Sequence, residues 1–168
     1  MHLQDIDKTR YRQRFRIVFV GIVVVLTIVA LGSSTLLIRL FGTPGESHFW
    51  LNLAGVVIGA AAVVLGLSRL RGHPYLHEVV YVWDLKQQLN QIYRKQRQIE
   101  PLVEKDDHDA IAIMYFFYRG SRQLYELDDN TITLDSIALK TRALENRIEE
   151  LGWSVTTDTF RPSMLERF

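Results

Sequence analysis

His73 and His77 stand four residues apart, with Glu78 beside them. On one helix that spacing turns two imidazoles the same way and can bind zinc. Pro74 intervenes and suits a first helical turn, so His73 falls ahead of the helix. The pair lacks the intervening glutamate of the H-E-x-x-H metalloprotease arrangement and lacks a third and fourth ligand. Structural or interfacial histidines account for the spacing more simply. An enzyme using His73, His77 and Glu78 at a membrane surface is the sharper alternative. Asp106-Asp107-His108-Asp109 could hold a hard cation, but the run has neither the spaced oxygen ligands nor the glycine of a calcium loop. Helix capping explains it, and Asp128-Asp129-Asn130 reads the same way, as a turn between helices.

Other chemistries find no local frame. There is no cysteine, which excludes disulfides, thiolate metal sites and thiol nucleophiles together. Serines, histidines and aspartates occur without a G-x-S-x-G elbow, and no phosphate-binding G-x-x-x-x-G-K-[ST] loop is present. Arg94-Lys95-Gln96-Arg97 is too short, and too poor in aromatic neighbours, to indicate nucleic acid. No cofactor is implied, and the expectation is a protein that is not an enzyme.

The elements that must carry these residues are dominated by two uncharged runs, 17–38 and 49–68. A helix rising ~1.5 Å per residue crosses a hydrocarbon core in about 20 residues. Both runs therefore read as membrane spans in the lipid bilayer. The net charge of +1 is a sum of unlike parts. Five basic residues, including Arg12, Arg14 and Arg16, precede the first span, and Arg69 and Arg71 follow the second. The positive-inside rule puts both flanks in the cytoplasm. The expected organisation is a basic cytoplasmic tail at 1–16, a first span at 17–38, a short extracytoplasmic loop at 39–48 and a second span at 49–68. A cytoplasmic helical domain follows at 69–168. The apolar run is too long for a cleaved signal peptide, and no clear A-x-A site follows it.

Gly55, Gly59, Ala62 and Gly66 share one face of the second span and let another helix come close. That helix is either the first span or the second span of another copy, which would make a homo-oligomer. No Asp, Glu, Lys, Arg or His lies inside either run, which argues against a transporter.

Beyond the spans, Val82, Leu85, Leu89, Ile92 and Ile99 form a heptad-like stripe, with Gln96 in the remaining core position and Pro101 opening a new segment. Ile113, Phe117, Gly120, Leu124 and Leu127 line a second helix, capped by Asp106, Asp107 or Asp109. Leu134, Ile137, Thr141, Leu144, Ile148 and Leu151 line a third, with Thr133 at its N-cap and Gly152 past its end. Trp153–Thr157 is the one stretch with strand character. The fold class is all-α: a two-span transmembrane hairpin followed by a cytoplasmic antiparallel helical bundle of about three helices.

Tyr115, Tyr118, Arg122 and Tyr125 project opposite the second stripe, flanked by Met114 and Arg119. They form either an interaction face for an unidentified protein partner or a second buried face of a central helix.

Four stretches resemble a known family: Asn52-Leu53-Ala54-Gly55-Val56-Val57, His73-Pro74-Tyr75-Leu76-His77-Glu78-Val79-Val80-Tyr81-Val82-Trp83, Gln91-Ile92-Tyr93-Arg94-Lys95 and Leu127-Asp128-Asp129-Asn130-Thr131. The family is the small gammaproteobacterial inner-membrane family called "domain of unknown function 3087", and the resemblance covers nearly the whole chain. It implies a multi-pass protein of the bacterial inner (plasma) membrane with two spans, and it brings no site residue; the basic flanks are what place the N- and C-termini in the cytoplasm. The leading functional expectation is a non-enzymatic membrane-anchored interaction module. A small oligomeric channel or membrane sensor is the alternative.

Overall fold

The computed structural model describes residues 2–168. Among these residues every regular element is helical: α1 (Lys8–Phe41), α2 (Phe49–Leu70), α3 (His77–Val103), α4 (His108–Leu127) and α5 (Leu134–Glu150), with short 3-10 turns at Pro74–Leu76 and Pro162–Arg167. Trp153–Thr157 is irregular. The chain divides into two compact units. One is Arg12–Val79; the other joins the segment ending at Tyr11 to Val80–Phe168.

In the first unit, α1 and α2 are long and apolar enough to cross a membrane. α1 starts well before the apolar run because Asp7 caps it: the Arg10 N–H donates to Asp7 Oδ1 at 2.8 Å. Arginine is a good helix former, so the basic residues that follow continue the helix into the apolar run. The turn between the helices contains Pro44 and a Gly45 at φ +88°, a conformation that favours glycine.

In the second unit, α3, α4 and α5 bury a common apolar core. The α3 stripe is buried as expected at Val82, Leu85, Leu89, Ile92 and Ile99. Gln96 does not fill the core position. It stays at the edge and donates to Glu100 Oε1 at 2.6 Å. Pro101 does not open a segment either; it lies in the last turn of α3. Its missing N–H removes one ladder bond, and the helix ends two residues later. Within Tyr75–Trp83, Leu76, Glu78, Tyr81 and Val82 are buried, whereas Trp83 is exposed.

α4 departs most from a single stripe. Ala110 through Met114 are all buried, as is Phe116, so its first half is enclosed on every side. Met114 belongs to the core, not to an outer flank. Phe160 and Leu165, from the segment after α5, complete that core, and the Phe160 ring stacks on Phe116 with centroids 4.4 Å apart. α5 stops where expected, with Gly152 just beyond it at φ +66°. Thr133 stands at its N-cap position, but with helical φ and ψ its side chain makes no cap bond, and its buried hydroxyl has no partner among the described residues.

Candidate functional site

The small-residue stripe of α2 splits in two. A Cβ added to Gly55 would lie 2.8 Å from the Ala30 carbonyl oxygen and from Ser34 N and Cβ. At Gly59 it would meet Ala30 and the Leu26 carbonyl at 3.1 Å. These two glycines let the α1 backbone approach, and the Ser34 hydroxyl donates to Asn52 Oδ1 beside them. Ala62 is half-buried, and a methyl group added to Gly66 would meet nothing within 4 Å. Half of the stripe therefore packs the chain's own first apolar helix.

At the basic end of the same unit, Arg14 organises a polar node. Its Nη1 donates to Glu78 Oε2 and to the carbonyls of Pro74 and Tyr75, the two carbonyls both at 3.2 Å. The guanidinium also lies 5.0 Å from the Tyr75 ring centroid. Glu78, although almost buried, is held there by charge. His73 Nδ1 accepts the Tyr75 N–H at 3.1 Å and so caps the 3-10 turn, while His77 is exposed at the start of α3. The node fixes how the chain leaves α2, and among the described residues no three such side chains gather as metal ligands.

The acidic turns are likewise engaged in holding structure. Asp107 accepts the Ala110 N–H at 3.0 Å and caps α4, and Arg167 bonds it at 2.6 Å. Partial burial pushes the Asp107 carboxyl up, but the Ala110 amide and Arg167 outweigh this and hold it below the usual carboxylate range. Asp106 receives Arg147 Nε at 2.7 Å. In the turn after α4, Asp128 pairs with Lys86 at 2.9 Å and accepts the Tyr11 hydroxyl at 3.4 Å, while Asp129 pairs with Lys8. Burial and the Asp128 charge push the Tyr11 phenol up to about 12.

Tyr115, Tyr118 and Tyr125 are half-buried, and only Arg122 of that set is exposed, paired with Glu126. Tyr115 and Tyr118 pack against the core, and burial, with Glu100 nearby, pushes the Tyr118 phenol up. Tyr118→Ala should therefore cost about 1–2 kcal/mol, between a surface change and a full cavity. Arg122→Ala should stay within about 0.5 kcal/mol. Denaturant unfolding of both variants in detergent micelles checks this; equal costs would contradict the difference in burial.

One constellation left no mark in the sequence. Residues 2–7 lie along α3 and α4, with Leu3 and Ile6 packed on the core. The Gln4 N–H donates to Tyr81 Oη at 2.9 Å, Tyr81 donates to Gln123 Oε1 at 2.9 Å, and Gln123 Nε2 donates to the Gln4 carbonyl. The circuit is closed, so each group is satisfied. Burial pushes the Tyr81 phenol up, against the two bonds that oppose it. Main-chain atoms of Gln4 carry the contact, and no side-chain pattern could have announced them.

These features define an all-helical protein with two helices able to cross a membrane and a separate helical unit built on one apolar core. The chain belongs to the family described as Protein of unknown function (DUF3087), which matches residues 1–165. No curated protein and no solved structure matches it.

Proposed function

We propose that this chain is an integral protein of the bacterial inner membrane, whose two-span hairpin holds a non-catalytic helical binding module at the cytoplasmic face. The observation that carries the reading is the first unit. Its apolar side chains, among them Val20, Ile28, Leu36, Val57, Val64 and Leu65, face outward and do not form a core. Water would not tolerate such a surface, whereas hydrocarbon does. Arg14 reaches Pro74, Tyr75 and Glu78, so the basic flanks of both spans lie at one end of the hairpin. That supports a common cytoplasmic side for both termini. Several side chains suited to chemistry have structural duties: His73 caps a turn, Glu78 answers Arg14 and Asp107 caps α4. This supports binding over catalysis. The module also leaves Ile132 and Leu139 largely in solvent, at 91% and 68% exposure, as apolar side chains a protein partner could cover.

Reporter fusions test the placement. Fusions at the N-terminus and after Phe168 should both report cytoplasm, and a tag inserted at 43–47 should report the opposite side. A C-terminal reporter active outside the cytoplasm would overturn the reading.

A further inference from the structure

We propose that residues 2–7 are a releasable intramolecular strap, seated in a peptide-binding groove formed by α3 and α4. The groove recognises this irregular segment in two ways. Tyr81 and Gln123 grip the N–H and C=O of one residue, Gln4, and so read main chain without regard to side chain. Gly120 supplies a notch beside Leu85 and Leu89, with Leu3 at its lip: a Cβ at Gly120 would lie 3.8 Å from Leu3 Cδ2. Ile6 packs on the same core three residues later. The ligand chemistry is therefore a peptide segment without regular structure, with apolar side chains three positions apart. The occupant is the chain's own segment.

The strap is releasable because most of what holds it is shallow. Leu3 and Ile6 are only partly buried. The pairs His2–Asp158 and Lys8–Asp129 are solvent-exposed, and such pairs hold weakly. Tyr81, Leu85 and Leu89 beneath the strap are buried parts of the α3 core and do not need to move when it leaves. Local opening of this kind precedes global unfolding. α1 begins at Lys8, immediately after the strap, and the buried Tyr11, bonded to Asp128, keeps its first turn on the core when the strap leaves.

The absence of native cysteine makes the test clean. The full chain carrying His2→Cys and Asp158→Cys, in lipid nanodiscs, is treated with a short bifunctional thiol reagent. The expected product is an intrachain cross-link at monomer mass. Interchain dimers, meaning exchange of the segment between copies, would overturn an intramolecular strap, as would no cross-link. Releasability has its own measurement. A labelled peptide of residues 2–11 is titrated against the parent chain and against Leu3→Ser/Ile6→Ser, whose helical content is verified by circular dichroism. The peptide should bind the double variant at least tenfold more tightly, because its own strap competes less. It should also slow the cross-linking of the cysteine pair. Equal affinity for both chains, or no binding, would overturn the proposal.

Discussion

Gly55→Leu is expected to cost about 3 kcal/mol or more, at the upper end of what overpacking does. The reason is the kind of atom in the way. At Gly55 even a methyl group would sit 2.8 Å from the Ala30 carbonyl oxygen and from Ser34 N, which are backbone and cannot rotate aside. The helices must separate, and the close van der Waals contact between them is lost. The Ser34–Asn52 bond lies at the same level of the hairpin and would part too. Gly66→Leu is the matched control. The same change on the same helix starts from a Cβ with nothing within 4 Å, and should stay within about 0.5 kcal/mol. Unfolding by denaturing detergent, starting from mild micelles, reports both. If the two variants unfold together with the parent, Gly55 faces lipid and the hairpin is not held as described.

The contrast between Gly55 and Gly66 shows how far the sequence could be read. The spacing placed four small residues on one face but could not say how far along that face a neighbour extends, because close packing depends on where two helix axes diverge. The two long apolar helices were legible, since each uncharged run is about the length a helix needs to cross a hydrocarbon core. So was α5, with one buried stripe and a glycine stop. α4 was read only in part. Ile113, Gly120 and Leu127 are buried as the stripe required, yet Ile111, Met114 and Phe116 are buried as well. The first half of α4, enclosed on all sides, carries no polar face to mark its orientation. Pro101 and Gln96 misled because both look decisive locally: Pro101 lies in the last turn of α3, and Gln96 bonds Glu100 at the edge of the core. The strap was invisible because its grip falls on the main chain of Gln4, which every residue type shares.

Phe116 concentrates what periodicity missed, and Phe116→Ala should be the most damaging change in the helical unit. The ring is fully buried, and it stacks on Phe160 at 4.4 Å with an interplanar angle of 24°. Truncation removes the transfer energy of a whole aromatic side chain and leaves a cavity that the enclosed first half of α4 cannot collapse to fill. Such changes cost about 3–5 kcal/mol. That is a large share of the stability of a domain this size, for which about 5–15 kcal/mol is usual. Phe160→Ala should cost nearly as much, although Phe160 lies in an irregular segment, because its worth comes from the same contact. The double variant should then fall short of the sum by about 0.5–1.5 kcal/mol, the part that belongs to the ring pair itself. Denaturant unfolding of the three variants in micelles, followed by far-ultraviolet circular dichroism, measures the cycle. A loss below about 1 kcal/mol for Phe116→Ala would mean that the segment after α5 does not close the core. Strict additivity would mean that the two rings are buried separately. The first result would detach Phe160 from the helices and leave α4 with an open side; the second would keep both rings packed but apart.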